Sequence, residues 1–264
     1  MLAADRGLVL RVFPLRETSA IVSVLGRSHG RLRLVGRGVR APKSRAGASL
    51  ESGNEVDFVF TLRPGRDLGN LREVTLVRPW IGALGRLEPM AVAWAALEIL
   101  ERVLPEGAPE EGILDEVLAF LAALQGSSDR AAAVLRFYGF ELALLDRLGH
   151  APELGACRLC AGPPSTGGEL DAAEGIWVCS RCQPHSPRRL PLPPAAHELL
   201  LRLEADPEVA GLTSTTVEAR RQVGRILHHL LALHLERYRY PRALGLLKKV
   251  DASVDTSPPE AEVE

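Results

Sequence analysis

The chain has 264 residues, 46% of them hydrophobic and 25% charged, with a formal net charge of −1. This length allows one large domain or two to three small ones, and the composition excludes a disordered, collagen-like or fibrous chain. No apolar run reaches the roughly 18 residues of a membrane span, and the N-terminus lacks the basic region of a secretion signal. We therefore expect a cytoplasmic protein with no membrane partner.

The two parts of the chain differ in charge. Residues 1–80 contain 14 Lys and Arg and 7 Asp and Glu, an excess of +7, whereas the remainder contains 18 and 26, a balance of −8. A basic part joined to an acidic part favours a polyanionic partner for the first. The alternative is a charged surface that only contacts solvent.

The first 80 residues have the pattern of five short strands, at 7–15, 18–25, 30–39, 54–62 and 70–77. Five strands in so short a stretch predict an OB-fold β-barrel, although a sandwich would fit the same pattern. Alternation places Leu32 and Leu34 on one face, and Arg31 and Arg33 on the other. We expect both arginines to be exposed, so that replacing them would spare the barrel core.

Helical spacing begins after residue 80, and five helices are predicted over 89–104, 113–124, 129–148, 195–204 and 214–238. The interval 151–193, rich in Pro and Gly and holding all four cysteines, interrupts them. The predicted fold class is α+β multidomain: a barrel over 1–80, a helical domain over 81–150 and 194–250, and an inserted knuckle over 151–193. Residues 251–264, acidic and without a base, predict a disordered tail.

Cys157, Cys160, Cys179 and Cys182 form two C-x2-C pairs separated by eighteen residues, a spacing typical of zinc sites. Two residues between thiolates let one tight turn direct both sulfurs at a single ion, and two such turns complete a tetrahedron. Disulfides would be unusual in a cytosolic protein, and a redox dithiol needs only one pair. Four sulfur ligands leave no open position, so we expect one structural Zn²⁺.

A basic stretch without any acid runs from residue 18 to residue 50. Cationic side chains and glycine-rich backbone are what phosphate contact requires. Base stacking is not favoured, because residues 1–80 contain only four aromatic residues: Phe13, Phe58, Phe60 and Trp80. We therefore predict contact with the phosphate backbone, with weak sequence preference, by seven residues: Arg31, Arg33, Arg37, Arg40, Lys43, Arg27 and Arg45.

No catalytic motif accompanies these features. The run around Pro42-Lys43-Ser44 lacks the glycines of a phosphate-binding P-loop, and the seven histidines form no H-E-x-x-H pair. His228, His229 and His234 share a predicted helix, where we expect them to be surface or packing residues. The sequence thus favours a protein that is not an enzyme.

Three segments together resemble one family, the RecO family of bacterial recombination mediators. They are 30–44, which leads into a basic turn; 65–73, which resembles the family's closing strand; and 140–150, which precedes the first cysteine. The resemblance extends over roughly residues 1–250. One departure is Gly36, where family members often have Ala before the basic residue.

This resemblance implies an OB-fold, a helical domain and a zinc knuckle. It further implies binding of single- and double-stranded DNA at the nucleoid, ATP-independent annealing of complementary strands, and action with RecR on single-strand-binding protein (SSB), so that RecA can load. Two other classes remain open: a zinc-ribbon transcription regulator that reads bases, and a zinc-dependent hydrolase, which would need an open coordination position.

Overall fold

The protein is described here from a computed structural model, which defines residues 2–63, 65, 67–164, 167–182, 189–206 and 214–250. The chain divides into two compact units. The barrel unit contains Met1–Gly126 with Pro241–Ala243, and the helical unit contains Ser127–Tyr240 with Leu244–Glu264. The segment 251–264, for which the sequence predicts a disordered tail, lies outside the described residues.

Five strands close into a barrel in the order β1-β2-β3-β5-β4, which confirms the predicted fold. All neighbouring pairs are antiparallel except β3 and β5, which run parallel through a short ladder. The strands are β1 Leu2–Pro14, β2 Ala20–Gly26, β3 Gly30–Gly36, β4 Asn54–Thr61 and β5 Leu68–Pro79.

The barrel interior follows the alternation seen in the sequence. Leu32 and Leu34 lie inside, as predicted, with Val22, Phe58 and Phe60 from the neighbouring strands. Successive side chains of a strand point to opposite faces, so the odd-numbered residues of β3 point outward. The outer surface is therefore where the predicted basic residues of this strand lie.

Three helices complete the barrel unit: α1 Arg45–Ser49, α2 Leu87–Val103 and α3 Ile113–Gln125. Helix α2 packs against β1, and Leu8 and Leu25, a cross-strand pair outside the core cluster, are nearly fully buried. Part of the outer barrel surface is thus covered by protein. The sequence did not predict α1, because five residues are too few to show a helical period.

The helical unit contains α4 Arg130–Arg147, α5 Pro194–Ala205, α6 Val217–His234 and α7 Gly245–Val250. Helix α4 begins after Asp129, whose carboxylate accepts a hydrogen bond from the Ala132 amide, as its sequence position predicts. Helix α6 is shorter than predicted, because the Thr216 side chain caps its start and the chain becomes extended at Leu235.

The predicted knuckle is inserted between α4 and α5. It contains a three-stranded sheet in the order β7-β6-β8, made of β6 Gly168–Asp171, β7 Ile176–Cys179 and β8 Leu190–Leu192. Among the described residues, no helix of either unit is long and apolar enough to cross a membrane.

Candidate nucleic-acid interface and metal centre

Arg31 is buried, with 3% of its side chain exposed, so the expectation of an exposed residue is wrong. Its Nε donates a hydrogen bond to the Leu104 carbonyl oxygen at 2.8 Å, and its guanidinium lies 3.3 Å from Glu106 and 4.0 Å from Glu101. The predicted outward direction is right, but the end of α2 and the loop after it cover this part of the barrel. The charge of Arg31 is therefore neutralised inside the fold.

Arg27 and Arg33 remain partly exposed but also face carboxylates. Arg27 makes a two-pronged contact with Asp115 of α3, at 2.6 and 2.7 Å. These hydrogen bonds lower the pKa of the Asp115 carboxyl, since they favour its charged form. The Arg33 guanidinium lies 3.6 Å from Glu106. Both arginines thus have acidic partners within the barrel unit.

The later members of the basic stretch are different. All of them are exposed, and within the described part of the chain none has a carboxylate at ion-pair distance: Arg37, Arg40, Lys43 and Arg45. They lie on the loop after β3 and at the start of α1. This loop meets the β1–β2 turn, because the Arg40 amide donates to the Thr18 carbonyl oxygen at 2.9 Å.

Arg16, which the sequence pattern does not single out, lies on that turn. The Arg40 guanidinium donates to the Arg16 carbonyl oxygen at 2.9 Å, so the two residues are neighbours. Arg16 stands just before the acid-free stretch and beside Glu17, and only the pairing of the turn with the loop brings it to the others. We call these five residues, Arg16, Arg37, Arg40, Lys43 and Arg45, the basic loop cluster.

Short local contacts hold the loop in shape. Val39 is buried in the barrel core and anchors the middle of the loop. The Ser44 hydroxyl accepts a hydrogen bond from the Gly47 amide at 3.1 Å and caps α1. Gly38 and Lys43 both have positive φ angles, 70° and 66°, which turn the chain twice. The loop is ordered by backbone and core contacts, which leaves its cationic side chains facing solvent.

The four predicted cysteine ligands come together in the knuckle. The sulfurs of Cys157, Cys160, Cys179 and Cys182 all lie within 4.8 Å of one another, and Cys160 and Cys179 are 3.8 Å apart. A tetrahedron with Zn–S bonds of about 2.3 Å has edges of about 3.8 Å. The four thiols are therefore spaced to hold one metal ion.

Electrostatics within the group also suit a cation. Burial opposes ionisation of Cys157, but hydrogen bonds from the Cys179, Cys160 and Leu159 amides outweigh it and lower the pKa of Cys157 to about 6. In contrast, hydrogen bonding to Cys160 and Cys179 raises the pKa of Cys182 to about 12. Such crowding of sulfurs is stabilised when a cation allows all four to be thiolates.

A small apolar core supports the knuckle, although few of its residues are large and apolar. Trp177 of β7 is fully buried and packs on His197 of α5, with ring centroids 4.5 Å apart. The His197 Nε2 lies 2.8 Å from the Leu154 carbonyl oxygen, just ahead of the first cysteine pair. The α5 helix thus fixes the strand and the loop that carry the ligands.

The histidines of α6 have packing contacts. His228 contacts the Tyr238 hydroxyl and lies 3.3 Å from buried Glu141, and the His234 Nε2 lies 2.8 Å from the Ala172 carbonyl oxygen. Burial lowers the pKa of His229. Within the described residues, the cysteines form the one group of His, Cys, Asp or Glu arranged to hold a metal.

Comparison with known proteins agrees with this architecture. Residues 1–80 match the family described as "Recombination protein O N terminal", and residues 84–242 match "Recombination protein O C terminal". A DNA repair protein RecO of Anaeromyxobacter dehalogenans is 32% identical over 91% of this chain and 96% of its own length. Those of Frankia casuarinae and Desulforudis audaxviator are 34% and 29% identical, over 88% and 93% of this chain and 93% and 96% of their own lengths.

Proposed function

The chain belongs to the RecO family of recombination mediators in DNA repair, and from this premise we propose that it binds single- and double-stranded DNA through the basic loop cluster. One observation carries the proposal: these five cations are exposed at one end of an OB-fold barrel, and the described acids do not neutralise them. Such a surface attracts phosphates whatever the base sequence.

The same surface gives a mechanism for strand annealing without ATP. Two complementary strands repel each other through their phosphates. A cluster of cations that contacts both backbones lowers this repulsion, while the bases remain free to pair. No nucleotide-binding motif is present in the sequence, so the free energy for annealing comes from base pairing itself. We therefore propose a DNA-binding protein that is not an enzyme.

A strand-annealing assay tests this function. Wild-type protein should accelerate annealing of complementary strands equally with and without ATP. The Arg37→Ala/Arg40→Ala variant should lose most of that acceleration, because it removes two cations from the cluster. A matched variant, Arg225→Ala/Arg237→Ala, removes two exposed arginines of the helical unit and should retain it. A strict ATP requirement would contradict the mechanism.

We also propose that the protein acts with RecR on SSB-coated single-stranded DNA, so that RecA can load. Family membership supports these partners. The measurement is RecA-dependent ATP hydrolysis on SSB-coated DNA, with RecR present throughout. Adding wild-type protein should shorten the lag before hydrolysis, and omitting RecR should restore the lag. An unchanged lag would contradict this role. The proposed location is the cytoplasm, at the nucleoid.

The four cysteines are proposed to hold one structural Zn²⁺, which would cross-link the two C-x2-C turns. With four sulfur ligands, it would leave no position for a substrate. Elemental analysis should give about one zinc per chain, and the cobalt-substituted protein should have the absorption of a four-thiolate site. Native protein without metal would contradict the site.

Cys160→Ser should destabilise the helical unit by several kcal/mol, since structural zinc contributes about 10 kcal/mol or more to the folding of small domains. DNA affinity should persist at temperatures where the variant is folded, because the basic loop cluster belongs to the barrel unit. Binding that disappears with the metal while the barrel stays folded would place the DNA contacts elsewhere.

Weak sequence preference separates this function from that of a transcription regulator. Unlabelled DNA of random sequence should compete for the protein as well as any chosen sequence of the same length does. One sequence that competes at least about a thousandfold better would indicate direct readout of bases.

A further inference from the structure

The outer face of the barrel holds an apolar row beside the basic loop cluster. Phe13 of β1 pairs with Ile21 of β2, which in turn pairs with Val35 of β3. Directly paired residues point to the same face, and the even-numbered neighbours of Ile21 and Val35 form the core. The three side chains therefore point outward, and all are partly exposed.

A second row lies two residues further along the same strands. Arg11 pairs with Ser23, and Ser23 pairs with Arg33, whose charge is balanced by Glu106. The Arg11 guanidinium lies over the Phe13 ring, 4.9 Å from its centroid. At the rise of a strand, the two rows are roughly 6–7 Å apart. The apolar row and the Arg11 guanidinium thus lie side by side.

We propose that Phe13, with Arg11 over its ring, forms a stacking platform for an unpaired base of single-stranded DNA. This inference rests on the proposed function and adds to it a residue that contacts bases. Aromatic rings and guanidinium planes both stack on any base, and the nearby basic loop cluster holds the phosphates of the same strand. A paired base is stacked inside a duplex and cannot use the platform.

The position in the barrel supports this occupant. OB-fold barrels bind oligonucleotides on the face of strands two and three, between the β1–β2 and β4–β5 loops. Ile21 and Val35 belong to those strands, and Arg16 of the basic loop cluster lies on the β1–β2 turn. The β4–β5 loop ends at Leu68, which pairs with Arg33. The platform therefore has Arg11 on one side and the basic loop cluster on the other, which suits a polyanion.

Affinity for two probes of equal length tests the platform: an oligo-dT strand and an abasic strand with the same number of phosphates. Wild-type protein should bind oligo-dT more tightly than the abasic strand. Phe13→Ala and Phe13→Leu should reduce oligo-dT affinity by about 5- to 100-fold, the range for loss of one stacked base, without changing the salt dependence. Phe13→Trp should retain the affinity, and its fluorescence should fall when oligo-dT binds but not when the abasic strand binds.

Leu2→Ala is the matched control, because Leu2 is an exposed apolar residue at the other end of β1, and it should bind like wild type. The Arg37→Ala/Arg40→Ala variant should weaken binding to both probes, so it reports on the basic loop cluster separately. Equal wild-type affinity for both probes, or unchanged oligo-dT affinity in folded Phe13→Leu, would overturn the platform. Fluorescence of Phe13→Trp that oligo-dT leaves unchanged would also overturn it.

Discussion

The seven cations of the basic stretch, which lie between residues 27 and 45, form two halves that look alike in sequence and differ in the fold. The three arginines of the first half, Arg27, Arg31 and Arg33, all face carboxylates of the α2–α3 region. The four cations of the second half have no such partner within the described residues. The first three cations therefore form ion pairs within the fold, and the last four remain available to a ligand.

The difference comes from residues distant in sequence. Glu101, Glu106 and Asp115 lie some seventy to ninety positions after the arginines that they contact. Their placement depends on where α2 crosses the barrel, which no local pattern specifies. Counting charges along a segment therefore overestimates the charge that it offers to a ligand.

The largest expected effect is a loss of stability on replacing Arg31, which is buried beside Glu101 and Glu106. Arg31→Ala should lower the free energy of unfolding by about 3 kcal/mol, because it leaves Glu106 and Glu101 without their buried partner. Chemical denaturation of the purified variant measures this change. The strand alternation predicts that replacing Arg31 spares the barrel core, whereas its burial predicts that the barrel is destabilised.

Arg33→Ala serves as the matched control for Arg31→Ala. Its side chain is 41% exposed and shares Glu106, so the expected loss is below about 1 kcal/mol. Equal losses in the two variants would mean that burial does not distinguish the two arginines.

An intermediate effect, a gain in DNA affinity, is expected when one arginine of the first half loses its acidic partner. Asp115→Asn removes the partner of Arg27 and should raise DNA affinity about fivefold at about 0.1 M salt, the gain from one additional phosphate contact. Fluorescence anisotropy with single-stranded DNA measures it. Arg27→Ala/Asp115→Asn should return to wild-type affinity, and a gain that survives in this double variant would exclude Arg27 as its cause.

The smallest effect is a pH dependence. Hydrogen bonding to Arg27 lowers the pKa of Asp115 in the folded state, so the pair contributes stability above the ordinary carboxyl pKa. That contribution disappears as the pH falls through the lowered pKa. The difference in Tm between wild type and Arg27→Ala should therefore shrink under acid conditions. An NMR titration in which Arg27→Ala leaves the pKa of Asp115 unchanged would contradict the pairing.

The fold could be predicted from local patterns to the extent that each pattern has one structural solution. Alternation in Arg31-Leu32-Arg33-Leu34 predicts the correct core face, and Asp129 marks the start of helix α4. The paired cysteines have a spacing typical of zinc sites, and their sulfurs do converge. Helix α1 is too short to show a helical period, and the predicted α6 runs past Leu235, where the chain becomes extended.

The candidate DNA site was less predictable, because it depends on contacts between segments. The burial of Arg31 depends on the segment that covers β3, which contacts it through the Leu104 carbonyl. The position of Arg16 in the cluster depends on the hydrogen bond from Arg40 to its turn. Phe13 carries no stacking signal in the sequence, because aromatic residues are sparse in residues 1–80. Only the register of β1 with β2, including the irregularity between Val9 and Arg11, places it beside Ile21 on the outer face.

The most direct test of the difference between the two halves of the basic stretch is the salt dependence of single-stranded DNA binding. It is compared in two charge-matched double variants. Arg37→Ala/Lys43→Ala removes two cations from the free half, and Arg27→Ala/Arg33→Ala removes two from the neutralised half. We predict that the first variant lowers the slope of log K against log salt by about 1.4, since each phosphate contact contributes about 0.7. The second variant should keep the wild-type slope. A loss of slope confined to the second variant, or equal in both, would contradict the division of the basic stretch.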